Sequence, residues 1–350
     1  MQMHFIIAVI FTITVFLAFI EDYLDEAKKL IILGAYILLM VVLASTKSIE
    51  HTADAIGYEE MFKNNDDMLI EFVTEPTYIY LSRIVMACGG TVVTMFVIYA
   101  LISIPAKMVV LYKFTPYIFT ALIVYIPVYF TLHDLIQIRA AAAAMFMLAT
   151  MLALVKKRYI LVAVLFVCGV LFHYSAVAYL PLLLIGNRRL NKTWRIVIGC
   201  MFPVAFAMYV LKMDLFSFIP SALTYGKLDF YKEASDKGEW DAIWLYDNIY
   251  YIAKVLMLYL CLIYYDYLAD RIPHFPLFLN VFAASIIFLA SMATIPVVAG
   301  RISDMFAIVD CIVFTFSIYL CSPRYLARIC VTLAALWMMV HNIIYTEYFT

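Results

Sequence analysis

The chain has 350 residues, 67% apolar, 16% aromatic and only 14% charged, with a formal net charge of -1 and a mean hydropathy of +0.98. Ordinary soluble domains are about 45–50% apolar and about 25% charged, so no soluble fold of this size could hide such a surface. The near-neutral balance, with no basic domain, gives no reason to expect a nucleic-acid partner, and seven scattered cysteines without a CxxC pair point to packing rather than to a zinc site or a disulfide framework.

Charge-poor runs repeat along the whole chain, at 4–20, 30–46, 91–106, 117–132, 140–155, 159–172, 174–187, 196–211, 255–265, 275–300, 311–323 and 329–346. Crossing the hydrocarbon core takes about 20 apolar residues, so several runs must borrow flanking residues or be tilted, broken or re-entrant. The expected fold is an all-α polytopic membrane bundle of about a dozen spans, within a range of ten to fourteen. The first run lacks a basic n-region and is followed by Glu21-Asp22 rather than by a small-residue cleavage site, which reads as a retained helix and not a signal peptide. No Gly/Ser-rich linker and no repeat of fixed period divides the chain, so 1–350 reads as a single transmembrane domain.

Short cytoplasmic loops retain lysine and arginine. Four basic connections, Lys28-Lys29, Lys156-Lys157-Arg158, Arg188-Arg189 through Lys192 and Arg195, and Arg324 with Arg328, are therefore placed inside. The connections 47–75, with eight acids against Lys47 and Lys63, and 212–247, with seven acids against four lysines, then fall outside, as do both termini. The crossing at His173 is the weakest point of this topology, since the flanking runs of about 14 residues each reach only about 21 Å; one long helix over 159–187 would invert the topology downstream. The loop 212–247 carries Tyr225, Phe230, Tyr231, Trp240, Trp244 and Tyr246 among its charges. Such aromatics suit either sugar faces or an interfacial belt around short amphipathic helices.

An ionisable group in hydrocarbon costs several kcal/mol unless it is paired or faces water, so polar residues beside apolar runs are the informative ones. They occur in the order Asp54-Ala-Ile-Gly-Tyr58-Glu-Glu-Met-Phe62, Glu75-Pro76-Thr-Tyr78-Ile-Tyr80-Leu81, His133-Asp134-Leu-Ile-Gln137-Ile-Arg139-Ala140, Phe172-His173-Tyr174-Ser175-Ala176 and Gly300-Arg301-Ile-Ser-Asp304-Met-Phe306. Pro76 fits the first turn of a helix, with Glu75 against the positive end of its dipole. Arg139 opens an alanine-rich span, where it either anchors to headgroups or offers a diphosphate its planar fork of donors; Arg301 poses the same choice. His173, between two apolar runs, is either a structural histidine at a helix break or a general base. Lys254 and Arg83 are expected to snorkel, and Asp310 to face the bundle interior.

These five segments, in this order and spacing over about residues 1–310, resemble the EpsG/Wzy-like family of bacterial polysaccharide polymerases. Where that family often shows an arginine and then Gly-Thr-Asp, this chain has Lys47 and then Thr52-Ala53-Asp54. The resemblance implies a GT-C-like polymerase architecture in the bacterial cytoplasmic membrane, with the active site facing outside. It implies transfer of a growing glycan from undecaprenyl diphosphate onto a lipid-linked oligosaccharide repeat unit, without metal or cofactor. Arg139 and Arg301 would clamp the diphosphate, and His173 would be the base, with Glu75 or Asp54 as alternatives. Tyr58, Tyr78, Gln137, Tyr174 and Trp240 would contact sugar or acceptor. Expected partners are the undecaprenyl-diphosphate-linked substrates, the lipid bilayer and a chain-length regulator. Three competing readings stay open: a metal-dependent lipid-sugar glycosyltransferase using Glu59-Glu60 and Asp66-Asp67 as hard-cation ligands, an O-antigen ligase, and a lipid-linked oligosaccharide flippase, which scarce glycine and charges at span ends disfavour.

Overall fold

A computed structural model describes residues 2–47, 53–213 and 243–344, together with 232, 233, 235 and 237. Every regular element among the described residues is helical, and the chain is a polytopic helical membrane protein. The candidate sugar contact Trp240 and most of the loop 212–247 lie outside the described residues. Contacts group the chain into two compact units, Met1–Val177 with Phe314–Thr350, and Ala178–Val313.

The first unit contains α1 (Gln2–Ile20), α2 (Glu26–Ser45), α3 (Ala53–Lys63), α4 (Met68–Val73), α5 (Pro76–Ala87), α6 (Val92–Phe114), α7 (Ile118–Val124), α8 (Ile138–Val155) and α9 (Tyr159–Phe172). In the second lie α10 (Leu180–Ile185), α11 (Lys192–Val210), α12 (Ile249–Ile263), α13 (Tyr265–Ala269), α14 (Phe275–Ser291), α15 (Pro296–Ala307) and α16 (Asp310–Val313). The chain then returns to the first unit with α17 (Ser317–Leu320) and α18 (Arg324–Ile344). Six helices are long and apolar enough to cross a bilayer, in α1, α2, α6, α8, α11 and α18, and five shorter apolar helices accompany them among the described residues. The 23 residues of α6 reach about 34 Å at the α-helical rise, enough for the hydrocarbon core. Phe5, Ile31 and Leu38 on α1 and α2 are 67% or more exposed, as side chains facing lipid would be.

The run 117–132 does not continue as one regular helix. After α7 the chain widens into π-helical turns over Tyr125–Asp134, where Leu135 N–H reaches the carbonyl of Phe130 at 2.9 Å. Pro127 lacks the N–H an α-helix would use. Its own carbonyl accepts instead from Thr131 Oγ1 and from Asn342 Nδ2 on α18, each at 2.6 Å. At the end of this segment Asp134 is fully buried, with bonds from Lys107 Nζ at 2.9 and 3.0 Å, Ser103 Oγ at 2.7 Å and the Tyr125 hydroxyl. An ion pair inside hydrocarbon persists only when its remaining lone pairs are also satisfied, and here the Ser103 and Tyr125 hydroxyls do so. The result is a fixed end point for the turn that leads into Gln137 and Arg139.

The run 174–187 also differs from a span. Helix α9 stops at His173, whose backbone is extended, and Tyr174–Tyr179 form a 3₁₀ turn before the six residues of α10. Pro181 prevents an α-helix from running unbroken through this stretch, because its ring clashes with the preceding turn. Gly186, at φ 66°, then turns the chain into the basic connection.

In the second unit Lys254 and Asp310, both buried, pair at 2.9 Å, and the Tyr250 hydroxyl donates to Asp310 at 3.1 Å. Asp310 faces the interior as its position among apolar residues suggests. Lys254 does not snorkel, because its buried carboxylate partner compensates the charge locally. Arg83 likewise bonds Glu71 at 3.0 Å and Asp66 at 3.3 Å instead of reaching along the chain for headgroups.

Candidate active site

Helices α8 and α9 are antiparallel neighbours joined by the turn 156–158, so the N-terminus of α8, with Arg139, and the C-terminus of α9, with His173, lie at the same end. Small residues allow the two axes to close: a Cβ on Gly169 would meet Met147 Cε at 2.3 Å and Phe146 Cβ at 3.2 Å, and the facing stretch of α8 is alanine from 140 to 144. The start of α5 is bolted to the same end by Thr77 Oγ1, which donates to the Leu171 carbonyl at 2.7 Å. Glu75 is the N-cap of α5 and Pro76 its first helical residue, as the sequence pattern anticipates.

This arrangement delivers Glu75, 5% exposed, between a guanidinium and an imidazole. One carboxylate oxygen binds Arg139 Nη1, and the other lies 3.3 Å from His173 Nδ1. The backbone N–H of Ser175 also approaches Nδ1, at 3.4 Å. The two contacts call for different tautomers: a proton on Nδ1 serves the Glu75 carboxylate, and a lone pair there serves the Ser175 N–H. Arg139 is held over two aromatic faces, its guanidinium carbon 5.4 Å from the Tyr58 ring centre and 5.9 Å from that of Tyr78. Tyr78 in turn donates its hydroxyl to the Tyr58 carbonyl at 2.7 Å and tilts against the Tyr58 ring at 5.6 Å. Tyr99 and Phe172 continue the aromatic wall, with ring centres 5.6 Å apart.

Of the sequence candidates, the first unit thus brings Glu75, Arg139, His173, Tyr58 and Tyr78 into direct contact. Gln137 caps α8 next to them, half-buried, and Tyr174 follows His173 with 42% of its surface exposed. Asp54 stands exposed in the first turn of α3. Arg301 belongs to the second unit, exposed on α15, one turn before Asp304.

One residue escapes the sequence reading. Lys47, just beyond α2, is buried with its ammonium 4.1 Å above the Phe96 ring centre and 6.0 Å from that of Tyr58, and it donates to the Leu135 carbonyl at 2.6 Å. Burial lowers its pKa to about 7, while Asp54 and then Asp134 pull in the opposite direction. The same burial, partly offset by Arg139, holds the Tyr58 phenol above its ordinary range. Lys47 falls where the resembling family often has arginine, which is the signal that could have marked it.

The carboxylates proposed as hard-cation ligands do not converge. Glu59 pairs with Lys63 at 2.9 Å, Asp66 with Arg83, and Asp67 caps α4 by accepting from Leu69 N–H at 2.7 Å. Among the described residues no three histidine, cysteine, aspartate or glutamate side chains gather in a way that could hold a metal ion.

The first unit of this multi-span helical membrane protein thus gathers a carboxylate, an imidazole and aromatic-backed cations near one end of α8 and α9. A family model describes the chain more closely: it matches residues 30–349, and the protein belongs to the EpsG family, which supports a polysaccharide polymerase-like role. No curated protein and no solved structure matches it.

Proposed function

We propose that this protein is a polysaccharide polymerase that transfers a growing glycan from undecaprenyl diphosphate onto a lipid-linked repeat unit at the outer face of the cytoplasmic membrane. The observation that carries the reading is the Glu75 carboxylate bridging Arg139 and His173, three residues supplied by three separate helices. A glycosyl transfer of this kind has two requirements. The acceptor hydroxyl must lose a proton, and the diphosphate leaving from the anomeric carbon must be stabilised as negative charge develops on it.

Glu75 orients the imidazole through Nδ1, so that Nε2 takes the acceptor proton as the new glycosidic bond forms. The imidazolium created is stabilised by the same carboxylate, as in other carboxylate-oriented histidine bases. Arg139, with an aromatic face beneath it and a planar fork of donors, binds the departing diphosphate. Lys47 adds a second positive charge nearby. The family resemblance assigns Arg301 to the same diphosphate, and the resemblance alone supports that role. Tyr174, exposed, and Gln137, half-buried, offer a ring face and hydrogen-bonding groups to sugar, whereas Tyr58 and Tyr78 are buried and committed to backing Arg139, so the sugar contact expected of them from the sequence does not fit their positions. Binding by cationic side chains can supply the leaving-group stabilisation, so the reaction scheme needs no metal.

The test is the surface-polysaccharide ladder of a strain deleted for the gene and complemented with wild type, Arg139→Ala, His173→Ala or Arg301→Ala, with membrane expression of each confirmed. The proposal predicts collapse to a single repeat unit, rescued by wild type and not by the expressed variants. An unchanged ladder in the deletion strain would end the polymerase reading, and loss of even the single-repeat band would redirect it to a flippase or ligase.

A further inference from the structure

Within the second unit, two connections fold against each other and frame an open cavity of about 310 Å³ lined by Asn187, Arg189, Asp270, Arg271 and His274. Cavities that hold small molecules run from about 300 Å³ upward. The walls are built firmly. Arg189 bonds Asp270 and Asp266, each at 2.8 Å, and Arg195 reaches the second Asp266 oxygen at 2.7 Å. The Leu190 N–H donates to the Tyr265 hydroxyl at 2.7 Å, and Arg195 stacks on the Tyr265 ring at 4.2 Å.

The floor of the cavity is strained. His274, an ordinary L-residue, sits in the left-handed region at φ 64°, and its Nδ1 lies 2.6 Å from Asn187 Nδ2. A non-glycine in this conformation costs on the order of 1–3 kcal/mol, and such residues cluster at ligand clamps. Burial keeps the His274 imidazole below its ordinary range, so near pH 7 it hydrogen-bonds as a neutral ring and the charge of the site comes from arginine. Over 186–195 and 265–274 the chain carries five cations, Arg188, Arg189, Lys192, Arg195 and Arg271, against two carboxylates. Both carboxylates are engaged by Arg189 and Arg195. Arg271 forms no ion pair among the described residues; its guanidinium carbon lies 3.7 Å from the Tyr267 ring centre, and it donates to the Tyr267 carbonyl at 3.1 Å. A guanidinium has five N–H donors, so most of its fork remains to be matched. Trp194, Tyr264 and Tyr267, each more than 40% exposed, surround these connections as an interfacial aromatic belt would, an arrangement suited to headgroup depth.

From this geometry we infer that the cavity is a binding site for a phosphate-bearing anion, held by Arg271 with Asn187 and His274 and separate from the candidate active site. The chemistry is that of a phosphodiester or phosphomonoester. A lipid headgroup and soluble phosphate both offer it, and headgroup depth favours the lipid.

The experiment uses the full-length protein in a neutral detergent, titrated separately with short-chain phosphatidylglycerol and with inorganic phosphate, and reads thermal unfolding. Wild type should be stabilised saturably by the phospholipid. Arg271→Gln should weaken that binding about tenfold, the scale of one lost charge-assisted contact. Asn187→Ala, a second variant at an exposed site, should weaken it less. Lys156→Gln/Lys157→Gln, which removes equal or greater charge from the first unit, should bind as wild type. Equal stabilisation by inorganic phosphate, with the same dependence on Arg271, would support the site and name a soluble ligand. Absence of saturable stabilisation by either compound, unaltered binding by Arg271→Gln, or equal weakening by the lysine pair would overturn the inference.

Discussion

If Glu75 works through His173, replacing it by glutamine should cost nearly as much as removing the histidine, and the two losses should not add. Glu75→Gln keeps the shape of the side chain and removes the charge that faces His173 Nδ1 at 3.3 Å and binds Arg139. Positioned acid–base catalysis contributes about 10²- to 10⁴-fold, so either single variant should lower the polymerisation rate by about that range. Residues that act as one unit are grossly non-additive, so Glu75→Gln/His173→Ala should lie within about threefold of the weaker single variant. A second consequence separates orientation from mere folding. Arg139 is 21% exposed at its side chain and loses its carboxylate partner in Glu75→Gln. Breaking a well-buried pair costs about 3–5 kcal/mol, and partial solvent access places the loss in melting stability below that. The assay is turnover of a lipid-diphosphate-linked repeat by purified protein in proteoliposomes, at matched folded fraction. Multiplicative losses in the double variant, or a Glu75→Gln protein of wild-type rate, would refute the argument.

Three further outcomes follow from particular contacts. The Lys47 ammonium, with a pKa lowered to about 7, is charged below that pH and loses its charge as pH rises through it; activity should fall on the alkaline side near 7, and Lys47→Arg, which stays charged, should remove that limb from the pH profile. Asp134→Leu strands the buried Lys107 and should destabilise the protein by about 3–5 kcal/mol in thermal or denaturant unfolding, whereas Lys107→Met/Asp134→Leu should cost less, since replacing a whole buried pair with apolar groups is far cheaper than halving it. Chelation with EDTA should leave polymerisation unchanged, because Glu59, Asp66 and Asp67 are committed to Lys63, Arg83 and the α4 cap; loss of activity restored by a divalent cation would revive the metal-dependent reading.

Much of the membrane architecture is legible in the sequence because hydrocarbon tolerates so few residue types. Helices α1, α2, α6, α8, α11 and α18 fall within or across the apolar runs, and Glu75, Arg139 and His173 stand out as polar groups beside them. Pattern alone cannot show that one carboxylate serves both the arginine and the histidine, since that depends on α5 being pinned to α9 through Thr77 and on Gly169 letting α8 and α9 close. Lys47 was obscured by departing from the family's arginine, and its burial arises from where α2 ends against Phe96 and Leu135. The π-helical turns after α7 were equally hidden: they rest on Pro127, Asn342 and the Lys107–Asp134 pair, contacts that span as many as 215 residues. Lys254 misled for the same reason, because its partner Asp310 lies far along the chain.

The most direct test of the central claim is reconstitution of the purified protein with a lipid-diphosphate-linked repeat unit, following glycan length and released undecaprenyl diphosphate together. Each glycosidic bond formed should release one lipid diphosphate, giving a ladder that wild type produces and that Arg139→Ala and His173→Ala, folded and inserted, do not. A ladder from either variant at the wild-type rate, or wild-type protein that moves the substrate across the bilayer without forming any bond, would contradict the assignment of this site.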